Sequence, residues 1–171
     1  MSEIKEFLTN ELKSLEHFNS SEHISKYRSV GHFVLENGRP WIPKKKPTEF
    51  KWRELKNCFG NATLLSMEND ELAYCEGFAM HEYFPLLHAW CLTPDGEVID
   101  TTWRHLGVEY YGIAIKPDYL AYRMDHQDDY GLIDCWKKRW PMLHDDPKLW
   151  RHPINDLKIK AEGPKIQAGA G

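Results

Sequence analysis

Three short runs of the chain hold the residue types of a nucleophilic catalyst: Asn57-Cys58-Phe59-Gly60-Asn61-Ala62, His88-Ala89-Trp90 and Val98-Ile99-Asp100-Thr101-Thr102-Trp103. A thiol attacks an acyl carbon as thiolate, and unpaired N–H groups at a helix N-terminus favour that charge. Cys58 opens a predicted helix and is the candidate nucleophile. A base within hydrogen-bond reach must take and return the proton, which is the role read for His88. A carboxylate must fix the tautomer and orientation of that base, which is the role read for Asp100.

Further candidates surround these three. The backbone N–H of Cys58 can donate to an oxyanion, with the Asn57 amide or the Trp52 indole as second donor. The plainer readings are a helix cap for Asn57 and packing for Trp52. Asn61 lies three residues after Cys58 on a neighbouring helix position, as a substrate contact or a backbone partner. Glu76 shares an alternating strand face with Tyr74 and Phe78, as a substrate contact, a rim charge or a local ion pair. Trp90 shares a strand face with His88, and Trp90 and Trp103 are expected to pack and to shield the base from water.

These residues need elements to hold them. Ile4, Phe7, Leu8, Leu12 and Leu15 fall at helical spacing and predict a helix over 3–17. Residues 25–35 read as a strand running into a turn at 36–40. Pro43-Lys44-Lys45-Lys46-Pro47 reads as a basic surface loop, with an acidic partner as the lesser reading. A mostly buried helix of about 10–12 residues runs from Asn57 and ends near Glu68-Asn69-Asp70.

Strand-like runs follow at 72–80, 86–93, 97–102 and 108–115, with a turn at Pro94-Asp95-Gly96. A hairpin there sets His88 opposite Asp100 or Thr101. Residues 118–126, 130–143 and 146–151 read as helical, the last two in short pieces, with Trp136, Trp140 and Trp150 as a packed stripe. A loose tail runs from Lys158.

The order is α+β: a central helix carrying Cys58 packed on an antiparallel sheet, with helical N- and C-terminal additions. One domain is expected over 1–171, with its core at 57–115, a helix and strand over 1–56, a helical part over 116–157 and the tail over 158–171.

Composition narrows the function classes. The chain has 171 residues, 42% of them hydrophobic, which suits a packed globular domain. Its net charge of -4 argues against a dedicated nucleic-acid binder. The opening MSEIKEFLTNELKSLEHF has no apolar stretch of a signal peptide, and no run approaches the roughly 18 apolar residues of a membrane span. A cytoplasmic protein without membrane partners is expected. Cys58, Cys75, Cys91 and Cys135 form no CxxC and read as thiols in a reducing compartment. No HExxH, Walker loop or GxGxxG occurs, so no metal and no cofactor is expected.

A Cys at a helix start, then His-Ala-Trp, then a strand ending Asp-Thr-Thr-Trp resembles the transglutaminase-like core of the papain-like cysteine hydrolase superfamily. Tyr74-Cys75-Glu76-Gly77-Phe78-Ala79 resembles the aromatic-x-x-Gly-aromatic strand between them. The fuller pattern NCFGNA, YCEGFA, HAW, DTTW and YYGIAI also looks like a set of small bacterial and phage proteins without a settled activity.

The resemblance spans about residues 57–115. It implies a papain-like fold, with Cys58 as nucleophile, His88 as base and Asp100 as orienter. Thr101 stands where that pattern has Pro, and the short interval from Cys58 to His88 implies a small or differently walled cleft.

The implied activity is that of a thiol-dependent hydrolase or acyltransferase acting on an amide or related acyl bond. Peptidase, amidase, deamidase and transglutaminase all stay open. The substrate would be a protein, a peptide or a small amide, met in the host cytoplasm if the chain is phage-encoded. The alternative is a binding or inhibitory module that keeps the fold without turnover. The basic loop and the aromatic C-terminal third would supply its surface. Oligomeric state is left open.

Overall fold

The computed structural model describes residues 2–17, 25–127 and 130–158. Five strands, β1 (Arg39–Trp41), β2 (Ala73–Met80), β3 (Pro85–Leu92), β4 (Val98–Ile99) and β5 (Glu109–Ile115), form one antiparallel sheet in the order β1-β5-β2-β3-β4. The longer helices are α1 (Glu3–His17), α2 (Val30–Asn37), α3 (Cys58–Glu68) and α4 (Pro117–Asp125). Two four-residue helices, α5 (Pro141–His144) and α6 (Pro147–Trp150), follow. The architecture is α+β.

Side-chain alternation along the strands divides the core in two. Tyr74, Ala89, Cys91, Tyr111, Ile113 and Ile115 point into the larger core, with residues of all four longer helices. Cys75, Ala79, Trp90, Leu92, Tyr110 and Ala114 point into a smaller cluster closed by Trp41 and Ile154. Helix α3 lies on the first side, where the Cys91 thiol meets the Ala62 carbonyl at 3.3 Å.

Several expectations are corrected. The strand read over 25–35 is a bend followed by α2. Ser29 has extended backbone and its hydroxyl accepts the His32 N–H, capping the helix. Phe33 and Val34 then enter the core. The cap and the burial of Phe33 and Val34 on one helix face decide the segment as helix.

The expected strand over 97–102 is only Val98–Ile99, because the chain turns away at Asp100. The Trp stripe does not form: Trp150 is buried against Phe33, ring centroids 5.6 Å apart, while Trp136 is exposed. Most of the tail read from Lys158 lies outside the described residues. Among the described residues, no helix is long and apolar enough to cross a membrane.

Candidate active site

Helix α3 begins at Cys58, and its first intrahelical bond is Asn61 N–H to the Asn57 carbonyl at 2.9 Å. The N–H groups of Cys58, Phe59 and Gly60 therefore start the helix without a helical acceptor, and they form an electropositive edge around the thiol. Lys56 adopts a left-handed backbone, φ 64°, as the chain turns into the helix. Gly60 leaves room for Asn57 to fold back over the first turn, since a Cβ there would lie 2.5 Å from Asn57 Oδ1.

Two hydrogen bonds dock this start onto the segment after β4. The Arg53 N–H donates to the Thr101 carbonyl at 2.9 Å, and Asn61 Nδ2 donates to Thr102 Oγ1 at 2.9 Å. Helix α3 and the Asp100 segment are thereby fixed to each other.

His88 lies on β3 and is 2% exposed. Its Nε2 meets Asp100 Oδ2 at 2.7 Å. Cys58 is the ring's other electrostatic neighbour, and with Nε2 on Asp100 only Nδ1 stays open to it. Burial disfavours the imidazolium, but the hydrogen bonds and charges of Asp100 and Cys58 outweigh it and raise the ring's pKa to about 9. Trp103 stacks on the ring, centroids 4.2 Å apart and planes 25° apart, and Trp90 lies 6.3 Å away on the same strand face. Both indoles pack beside the buried ring.

The expected register needs correction. Cys91 pairs with Ile99 and Leu92 with Val98, so the hairpin is centred on Asp95. Continued one step, that ladder sets Asp100 across from Trp90, and His88 reaches Asp100 along the diagonal. The same-face rule survives a register shift of two residues.

Asp100 is itself held on every side. Oδ1 accepts the N–H groups of Thr102 at 2.8 Å and Trp103 at 3.1 Å, and Oδ2 accepts the Tyr110 hydroxyl at 3.1 Å beside His88. The two amides close an Asx turn on Asp100. The Tyr110 oxygen also accepts the Gly107 N–H at 3.2 Å. The turn and Tyr110 hold the carboxylate directly, and Asn61 ties the following Thr102 to α3.

The remaining candidates fall in different places. Asn61 is buried, and its amide donates to the Glu54 carbonyl and to Thr102, so it is a tether instead of a substrate contact. Asn57 precedes the helix without a side-chain cap bond and donates to Glu54 Oε2 at 3.1 Å.

Trp52 is 45% exposed and stands between Lys46 and Arg104 in a cleft of about 430 Å³ whose inner wall is Asp100, Trp103 and Tyr110. Glu76 is no rim charge. It is fully buried on the other face of the sheet, accepting the Tyr74 hydroxyl and the Leu132 and Ile133 N–H groups, each at 2.9 Å. Burial pushes its pKa up to about 7 against the pull of those three donors.

Sequence reasoning missed Tyr110, Thr102 and Glu54 as parts of this network. Only Tyr110 had a readable signal: it stands on a strand whose alternation puts it on the same sheet face as His88. Among the described residues, no group of three or more His, Cys, Asp or Glu converges as metal ligands would. Comparison of the chain with protein-family models, with curated proteins and with solved structures finds no match in any of the three.

Proposed function

We propose that the chain is a thiol-dependent hydrolase or acyltransferase acting on an amide or related acyl bond. The observation that supports this most is the buried His88 ring, hydrogen-bonded to a fully satisfied Asp100 and raised in pKa by Cys58, which opens a helix. In this reading His88 carries on Nδ1 the proton that the thiol gives up, as its pKa of about 9 allows near neutral pH, and the sulfur attacks the carbonyl carbon. The oxyanion rests on the free N–H groups of the first turn of α3. His88 returns its proton to the departing amine, the C–N bond breaks and a thioester remains. Water or an amine then attacks the thioester, giving its proton to His88, and the thiol is released. Asp100 and Trp103 hold the ring in place through both halves.

Thiol reactivity tests the reading, with three internal controls. Cys75 and Cys91 are fully buried, and burial raises the pKa of both; Cys135 is buried as well. Iodoacetamide near neutral pH is expected to label Cys58 first, and His88→Ala is expected to slow that labelling by about 10²-fold or more. Slow and equal labelling of all four thiols would overturn the proposal and leave the non-catalytic binding module in its place.

A further inference from the structure

The chain carries a net charge of -4, yet the cleft beside Asp100 is cationic. Lys44, Lys45, Lys46, Arg104 and His105 line it, and Asp100 is the one acid among its described lining residues. That carboxylate is consumed by His88, Tyr110 and two backbone amides. Lys44 is paired with Glu97.

Lys46 and Arg104 are not neutralised by any carboxylate among the described residues. They donate to backbone carbonyls, at Pro47 and Phe50 for Lys46 and at Arg53 for Arg104. They also sit 4.6 and 5.0 Å from the Trp52 ring, which spaces them. Lys45 is exposed and has no ion pair among the described residues. Three unneutralised cations in one concavity focus a field that attracts anions.

The type of anion follows from the walls. Lys45 and Arg104 are exposed, unlike the enclosed donors that hold a small free anion. The cleft also continues into apolar surface. Leu106 lines it, and the β2–β3 hairpin adjoins it through His81, whose ring lies 5.5 Å from His105 and 5.9 Å from Trp103. That hairpin presents Tyr83 and Phe84, 81% and 74% exposed. Cations followed by exposed aromatic side chains suit an acidic peptide with apolar neighbours. The net charge of -4 sets the rest of the molecule against a polyanion such as a nucleic acid, whereas a short acidic peptide meets only the cleft.

We propose that this cleft binds acidic side chains of a peptide substrate near the bond that Cys58 attacks, and so selects acidic peptides. The proposal deepens the thiol-enzyme reading and rests on it for the word substrate; the binding itself is measurable without turnover.

Binding of a fluorescent hexaglutamate peptide to the full Cys58→Ala chain at low salt tests it. Binding is expected to fall at least about tenfold in Lys45→Glu/Arg104→Glu, and to weaken in Lys45→Gln/Arg104→Gln, with hexaglutamine bound by none of them. Far-UV circular dichroism checks that each variant is folded, and the glutamine pair carries the test if the glutamate pair is not. Equal binding by the parent and the folded variants would overturn the proposal, as would absence of hexaglutamate binding. Displacement of the peptide by inorganic phosphate beyond the effect of chloride at equal ionic strength would assign the cleft to a free anion and overturn it. Tighter binding of an oligodeoxythymidine would do so too. A reactive Cys58 without peptide binding rejects this inference alone, whereas peptide binding with an inert Cys58 rejects the catalytic reading alone.

Discussion

The molecule buries two carboxylates on opposite faces of one sheet, and their surroundings differ in one respect that matters. Asp100 meets an imidazole, a tyrosine hydroxyl and two amides, and Glu76 meets a tyrosine hydroxyl and two amides. The imidazole is the difference. Beside Asp100 the buried charge is shared with His88, whose pKa rises to about 9. Glu76 has no imidazole partner among the described residues, and burial pushes the carboxyl up to about 7. Glu76 fastens residues 132 and 133 onto β2, a span the sheet itself does not pair. Donor count alone does not separate the two buried carboxylates; the identity of their donors does.

The largest break in this comparison comes from turning each acid into its amide. In Asp100→Asn, Oδ1 still accepts the Thr102 and Trp103 amides, so Nδ2 must face His88. The ring can then only accept at Nε2, and its proton moves to Nδ1, against the thiol. Cys58 alkylation is expected to fall by about 10²- to 10⁴-fold, as loss of the correct tautomer predicts. Glu76→Gln leaves the His88–Asp100 pair intact and is expected to change that rate far less. The same second-order rate measurement with iodoacetamide reads both. A slowed Glu76→Gln beside an unaffected Asp100→Asn would reverse the assignment of the two acids.

How far each acid was legible in the sequence follows the same division. Asp100 and His88 are joined by a hairpin, and hairpin pairing is local, so their proximity could be read from strand alternation and the Pro94-Asp95-Gly96 turn. The turn takes Thr93 to Glu97, closed by Thr93 N–H to the Glu97 carbonyl at 3.0 Å with Gly96 at φ 81°. This centring moved the register without changing the face. Helix α3 was legible too, beginning at Cys58 and ending at Glu68 as spacing predicted.

The surroundings of Glu76 were not legible, because its amide donors come from residues 132 and 133, and no periodicity links that segment to β2. Helix α2 was misread for a related reason. A Ser29 cap is one hydrogen bond at one residue, and the β-branched residues after it carry the louder pattern. The basic cleft was half legible: Lys44, Lys45 and Lys46 stand together in the sequence, while Arg104 and Trp52 join them only through the fold.

A pH titration of stability separates the two regions by window. For both groups the folded pKa lies above the ordinary one, so the folded state holds the proton more tightly. Each stabilising contribution is then complete below the ordinary pKa and is lost as pH rises through the folded one. For Glu76 the loss runs from about 4.5 to about 7, and for His88 from about 6.5 to about 9. Each window is expected to span on the order of 3 kcal/mol at most. Urea unfolding of the parent, read against Glu76→Gln and against His88→Gln, isolates the two declines. A difference against Glu76→Gln that stays flat from pH 4.5 to 7 would remove the burial argument for that acid.

The smallest expected effects come from the two tyrosines, and they test whether the faces are independent. Tyr74→Phe removes one donor from Glu76, and Tyr110→Phe removes one donor from Asp100 and the acceptor of the Gly107 N–H. Each is expected to cost about 1 kcal/mol, with Tyr110→Phe the costlier because it leaves that buried amide unpaired. The Tyr74 hydroxyl pulls the Glu76 pKa down, so its loss moves the Glu76 window upward while the His88 window and the Cys58 alkylation rate stay where they were. Tyr110→Phe should leave the Glu76 window in place and alter the alkylation profile. The same urea titrations and alkylation rates, repeated in these variants, read the outcome. If either tyrosine moved both windows, the two carboxylates would belong to one coupled network across the sheet, and the division between a reacting face and a fastening face would fail.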